Sequence, residues 1–288
     1  MGLNIALGDL DEKEKGNGSF GHFQSCRLVC RNLRRAHTME TMGNIMDPNV
    51  DEARPPLTTY DGLAKMIDHS LVRPELTDEQ VVAGCELAKH YQVASVSVRP
   101  CDVELAVRML SGSGVAVGSL AGFPHGSSTT AVKLYEIRDV LRRGAKEVDM
   151  VLNISRLLSR QFQYVEIELL QSAEECHKQG ALLKVIFENA YLTDELKIVA
   201  CRIAARAEVD FVKTSTAFAP TGYTIEDLKL MRAHTPGHIG VKAAGGVRTL
   251  DKALEVYQLG CTRFGATATA AILDAWKARL QATAGTAA

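Results

Sequence analysis

The chain has 288 residues, 46% of them hydrophobic and 23% charged, with a formal net charge of −1. That composition supplies a sizeable core. The near-neutral balance excludes both the broad basic surface of a nucleic-acid binder and the acidic excess of a solvating tail, so any anionic ligand must be held by a local site. Seven cysteines form an odd set without a CxxC pair, which reads as reduced thiols in a cytoplasmic protein. The sequence shows no apolar run of bilayer length and no signal-type apolar segment behind Asp9, Asp11 and Glu12, so no membrane partner is expected.

Residues 1–57 carry an arginine cluster (Arg31, Arg34, Arg35) and the turn-like Arg54-Pro55-Pro56, without a long periodic pattern. They read as a poorly ordered extension, or as sequence upstream of a later start at Met39 or Met42. His22, Cys26, Cys30 and His37 match no standard zinc spacing, so no metal site is assigned there.

Residues 58–283 alternate short apolar segments with amphipathic ones, and 284–288 form a short tail. The strands predicted are 66–70, 94–98, 115–121, 147–153, 182–188, 210–215, 239–243 and 263–266. Runs such as LLKVIF (182–187) are what a parallel strand buried on both faces requires. Between the strands, Thr77-Asp78-Glu79-Gln80 spells a capping box, and Thr193, Thr224 and Thr249 open further helices. Gly144, Gly180 and Gly260 stand where helices close. Eight βα units in about 220 residues fit a single-domain (β/α)8 TIM barrel. An open doubly wound sheet is the alternative, but the turn after Ser70 is Leu71-Val72-Arg73-Pro74 rather than a glycine-rich dinucleotide turn. In a barrel, the C-terminal strand ends carry the site, with phosphate after strands seven and eight.

Lys213, in FVKTST (211–216), lies in the sixth predicted strand. A lysine there is costly if charged and unpaired. Desolvation lowers its pKa and frees the amine for nucleophilic attack; the competing reading is a lysine that snorkels to water. Lys242 is in the seventh strand, in VKAAGG (241–246). Adjacent strands lie about 4.8 Å apart, so two lysines at similar height each favour the other's neutral form, an arrangement that activates imine-forming amines. Alternatively, one of the two faces the helix layer. Asp149, among the apolar residues of EVDMV (147–151), needs a partner. It is either a proton relay beside the lysines or a structural counter-ion. Lys184, on the fifth strand, is assigned electrostatic support, with an ion pair to Asp149 as the other reading.

Asp68 and Ser70 are two residues apart at the end of the first strand, so they share one face and suit a substrate hydroxyl; His69 then points to the helices as a structural histidine. Gly245-Gly246 after strand seven and Gly265-Ala266-Thr267 after strand eight offer backbone N–H groups, a helix N-terminus and a hydroxyl to a phosphate, or are simply tight turns. GFPHG (122–126) after strand three reads either as a loop over the site or as a plain turn and N-cap.

These segments, in order, are IDHSL, GFPHG, EVDMVLN, KVIFE, FVKTST, VKAAGGVRT and RFGAT. Together they resemble the deoxyribose-phosphate aldolases over roughly residues 60–282. The resemblance implies reversible cleavage of 2-deoxy-D-ribose 5-phosphate to D-glyceraldehyde 3-phosphate and acetaldehyde through a lysine Schiff base, in deoxyribonucleoside catabolism, without metal or organic cofactor. It implies Lys213 as the imine-forming residue, Lys242 as the group that lowers the pKa of Lys213, and Asp149 as the proton relay. Asp68, Ser70, Lys184, Thr214, Gly245, Gly246 and Thr267 are the implied substrate contacts. A homodimer is the assembly it suggests, with no interface legible in the sequence.

Three positions depart from the family pattern. Ala217 follows KTST where glycine is common, which is strained if the turn needs φ > 0. Ala268 follows Thr267 where a second hydroxyl is common, and the tail lacks a terminal tyrosine. Two other functions stay in contention: a Schiff-base barrel aldolase with a different substrate, and a catalytically silent barrel that binds a sugar phosphate.

Overall fold

The computed structural model describes residues 54–286. Most of the expected extension, with its histidine–cysteine set and candidate start sites, lies outside the described residues. Arg54 lies inside the segment expected to be loose, yet it is anchored. Its guanidinium donates to the carbonyls of Tyr257 and Cys261 at 3.1 and 2.8 Å and stacks 4.4 Å from the Tyr257 ring centre.

Among the described residues, eight parallel strands close into a barrel in chain order. They are β1 (Ile67–Leu71), β2 (Ser95–Val98), β3 (Ala116–Ala121), β4 (Glu147–Val151), β5 (Leu182–Ile186), β6 (Phe211–Lys213), β7 (Gly240–Ala243) and β8 (Arg263–Ala266). α1 (Tyr60–Ala64) precedes β1, and α2 (Asp78–Tyr91), α3 (Val103–Leu110) and α4 (Thr130–Arg142) follow β1, β2 and β3. The short α5 (Ile154–Leu158) and long α6 (Phe162–Lys178) follow β4. The remaining helices, α7 (Asp194–Arg206), α8 (Ile225–Ala233), α9 (Leu250–Gln258) and α10 (Thr269–Thr286), follow β5 to β8. The expected tail boundary at 283 therefore falls inside α10.

Threonine caps set the helix starts. Thr77 and Gln80 complete the capping box of α2, and Thr193, Thr224 and Thr249 each accept an N–H in the first turn of α7, α8 and α9. Gly144 and Gly180 close their helices at φ +108° and +63°.

Strand alternation divides the residues between two environments. Val96, Val98, Val148, Met150, Leu183, Val185, Val212, Val241 and Phe264 belong to the apolar core shared with the helices. Asp68, Asp149, Lys184, Lys213 and Lys242 lie on the other face and reach one another across the barrel.

Several strands end before their expected boundaries because the chain turns to build the mouth. Asn153 leaves β4 to accept the N–H of Arg156 as the cap of α5. Glu188 leaves β5 in a left-handed conformation at φ +57°. Lys213 thereby becomes the last residue of β6, at the rim where side chains can meet a ligand.

Ala217 also has positive φ, at +69°, so the strain expected of alanine in this turn is present. Ala217→Gly should relieve it and raise stability by a net roughly 0.5–1 kcal/mol, after allowance for the freer unfolded chain. The gain is read as a higher urea midpoint at unchanged slope; an unmoved or lower midpoint would contradict it.

Candidate active site

Lys213 and Lys242 are direct register partners on β6 and β7, and both turn into the barrel. Their Nζ atoms donate to the same oxygen, Asp149 Oδ2, at 2.6 and 2.7 Å. The alternative in which one lysine faces the helix layer is thus set aside. Both line an open cavity at the mouth but differ in exposure: Lys213 is 7% exposed and Lys242 1%. The other Asp149 oxygen, Oδ1, is buried 3.4 Å from Lys184 Nζ and has no hydrogen-bond partner among the described residues.

Below this triad lies a second set of charges. Asp68 accepts from Ser95 Oγ at 2.7 Å and from Lys184 Nζ at 2.7 Å, and pairs closely with Lys242 and Arg263. Lys184 also pairs closely with Glu147. The fork of Arg263 meets Glu147 at 3.0 Å. Charges so far from water persist only when matched, and each carboxylate here faces more than one cation.

The electrostatic consequences follow from burial and neighbours. Burial pulls the Lys242 ammonium down to about 8, with Lys184 and Lys213 adding to the shift while Asp149 and Asp68 oppose it. Asp149 is held well below the usual carboxylate range: burial opposes its ionisation, but Lys184, Lys213 and Lys242 outweigh it. For Lys184 burial favours the neutral form, and Asp149, Asp68 and Glu147 reverse this and keep it charged.

Ser70, Gly245, Gly246 and Thr267 all line the cavity, as does Asp68 at its floor. Gly245 and Gly246 have φ of +78° and +147°, and Gly222 packs so tightly on the Gly245 carbonyl that neither close approach nor conformation suits a side chain. His69 faces the helices as expected, with Nδ1 2.9 Å from Thr269 Oγ1.

Three expected substrate contacts need correction. Lys184 is fully buried beneath Asp149 and absent from the cavity wall. Thr214 follows Lys213 and so points to the opposite face, where it is fully buried, 3.0 Å from Ser215 Oγ and 3.1 Å from the Ala244 N–H. Asp68 reaches the cavity floor, but each of its oxygens already faces two donors, so it is an anchor for cations rather than a free acceptor for a sugar hydroxyl.

Other wall residues went unassigned in the sequence. Ser97, whose Oγ is buried without a hydrogen-bond partner, faces the cavity from β2; the Ser-Val-Ser-Val alternation of that strand was the available signal. Arg73, Phe123 and Phe218 come from three loops. The Phe123 and Phe218 rings stand edge to face at 5.3 Å, and the Arg73 guanidinium lies 5.0 Å over Phe218. The loop after β3 therefore reaches the site through Phe123, while Thr129 caps α4 as the plainer reading required. Arg248, beside the glycine pair, adds a second arginine to the wall.

The arrangement offers a reachable amine, a second amine with a lowered pKa, and one carboxylate oxygen between them. It also offers a glycine turn flanked by a threonine and arginines. The family model for DeoC/LacD aldolases matches residues 63–277. A deoxyribose-phosphate aldolase of Caldanaerobacter subterraneus subsp. tengcongensis is 44% identical over 216 residues, covering 75% of this chain and 94% of that protein. One of Rhodopirellula baltica is 46% identical over 214 residues, covering 74% and 89%. The solved tetrameric deoxyribose phosphate aldolase of Aeropyrum pernix is 29% identical with a TM-score of 0.71, covering 77% of this chain and 93% of that one. On these grounds the chain belongs to the DeoC/LacD family of aldolases.

Proposed function

We propose that the protein is a deoxyribose-phosphate aldolase that cleaves 2-deoxy-D-ribose 5-phosphate to D-glyceraldehyde 3-phosphate and acetaldehyde through an imine on Lys213. The observation that carries this reading is the sharing of Asp149 Oδ2 by Lys213 and Lys242. Lys213 is the nucleophile because it is the more exposed of the two amines that line the cavity. Lys242, already disposed to be neutral, accepts the Lys213 proton across the shared oxygen.

The neutral Lys213 amine attacks the aldehyde carbon of the open-chain sugar, and loss of water from the carbinolamine leaves a protonated imine. That imine is the electron sink. A base takes the proton of the C3 hydroxyl, the C2–C3 bond breaks, and its electron pair moves into the enamine. Glyceraldehyde 3-phosphate departs, the enamine is protonated at C2, and water releases acetaldehyde and the free lysine. Asp149, together with a water molecule, relays these protons. The Gly245–Gly246 turn, Thr267 and Arg248 hold the phosphate, and Ser70 faces the sugar. Deoxyribonucleoside catabolism in the cytoplasm is the setting that fits this substrate. The Aeropyrum pernix relative is a tetramer; self-association of this chain, at its simplest a homodimer, is part of the proposal and is read by light scattering.

Incubation with deoxyribose 5-phosphate and borohydride should give a stable adduct that maps to Lys213, and substrate turnover should yield acetaldehyde. An adduct without acetaldehyde would favour an aldolase of different specificity, and no adduct would favour a silent sugar-phosphate-binding barrel. Lys213→Leu should abolish turnover, and Lys242→Leu should lower it on the order of 10²–10⁴-fold; near-normal turnover by Lys213→Leu would refute the nucleophile. Turnover should be unchanged by a chelator, whereas loss restored by zinc would point to a metal-dependent aldolase.

The pH dependence has a defined sign. Only a neutral amine attacks a carbonyl, and Lys242 sheds its proton as pH rises through about 8. Adduct formation should therefore quicken as pH rises across that value and slow below it. A rate that is flat there, or falls with rising pH, would exclude proton transfer to Lys242.

A further inference from the structure

The charged group inside the barrel has an unequal number of each sign. Its cations are Lys184 on β5, Lys213 on β6, Lys242 on β7 and Arg263 on β8. Its carboxylates are Asp68 on β1, with Glu147 and Asp149 on β4. These seven groups are joined without a break by ion pairs. With every lysine protonated, four positive charges face three negative ones. Uncharged residues packed on the group include Ser95 on β2, bonded to Asp68, and Phe211 on β6, whose ring lies 5.4 Å from the Arg263 guanidinium and 6.0 Å from Lys184 Nζ. From the mouth, Glu188 faces Lys213 as a further carboxyl outside the ion-paired group; burial pushes it upward, and the Thr216 N–H and hydroxyl hold it.

A largely buried ion-paired group with one surplus positive charge is eased by losing one proton. Arg263 does not supply it, because a guanidinium keeps its charge, and the close carboxylates Asp68 and Glu147 hold it more firmly still. Lys184 is likewise held charged by three carboxylates. The surplus therefore falls on the pair at the mouth, Lys213 and Lys242. Arg263 is the direct register partner of Lys242, and Asp68 bridges the two.

We propose that Arg263 and Glu147 are positioning residues that set the net charge beneath the lysine pair, Arg263 driving one of those amines to be neutral and Glu147 limiting the drive. Neither lines the cavity, so both act at a distance through Asp68 and Lys184. The proposal rests on the reading of Lys213 and Lys242 as the imine-forming pair.

The test is the pH dependence of borohydride-trapped adduct formation with acetaldehyde, in the wild type and in Arg263→Met, Arg263→Lys and Glu147→Gln. Removing a positive charge makes the remaining ammonium groups easier to keep, so Arg263→Met moves the acid limb to higher pH, by on the order of one unit. Arg263→Lys preserves the charge and leaves the limb near its wild-type position. Glu147→Gln removes a negative charge at nearly constant shape and moves the limb to lower pH. Loss of packing alone does not give opposite shifts from residues of opposite charge. Shifts in the same direction, or no shift while the adduct still forms at Lys213, overturn the proposal. If Arg263→Met fails to fold, Glu147→Gln decides alone: a downward shift supports the proposal, and none or an upward one overturns it. Absence of any wild-type adduct at every pH instead removes the imine reading.

Discussion

Two ammonium groups share one oxygen of a fully buried carboxylate, and much of the molecule is arranged to make that contact tolerable. In water such a contact is weak; in a buried setting its pull rises several-fold, and so does the cost of leaving any member unmatched. Asp149 alone does not balance Lys213, Lys242 and Lys184. Asp68 enters from β1 and Glu147 from the start of β4, and Arg263 then enters from β8 to meet them. Closing the barrel brings β1, β4, β5, β6, β7 and β8 to one axis; an open sheet would leave β1 and β8 far apart at its two edges.

The same geometry explains why the two lysines differ although they are direct register partners. β6 ends at Lys213, and the chain then turns outward through Thr214 to Phe218, so one face of the Lys213 side chain opens to the cavity. β7 continues to Ala243 and into the glycine turn, and Lys242 reaches the same cavity with only 1% of its surface exposed. Burial is the larger cause of its lowered pKa. An accessible amine and a proton acceptor are thus made from the same residue type by where each strand stops.

Much of this was legible from residue type and alternation. Eight apolar segments separated by capped helices specified the barrel, and Lys213, Lys242 and Asp149 stood out because each is charged inside an apolar strand. Parity also assigned Asp68, Ser70 and His69 to their faces. Depth was less legible than direction. Lys184 has inward parity, but the sequence does not show that it sits below Asp149 rather than at the cavity. Thr214 is one residue from Lys213, and alternation alone sends it to the other face; motif proximity had outweighed that rule. Arg263 and Glu147 begin their strands, at the end of the barrel away from the mouth, so attention to C-terminal strand ends passes over them. Arg73, Phe123 and Phe218 meet only through the folding of three loops, which no periodicity encodes.

A core of seven charged side chains is a poor way to stabilise a barrel. Apolar residues of similar volume in such positions are often neutral or stabilising, because desolvation of ions consumes most of their mutual attraction. The surrounding shell supplies the stability instead: valines, leucines and isoleucines on the outward strand faces pack against the helices, almost all of them fully buried. That division lets the interior be chosen for proton affinity, not for cohesion. The same arrangement limits what the interior tolerates. Most of these charges are matched by more than one other, so a single deletion leaves partners buried and under-matched, and the penalty spreads through the group instead of staying at one contact. Substitutions that keep shape while changing charge therefore act mainly on the lysine amines, whereas those that remove shape and charge together act on the barrel as a whole.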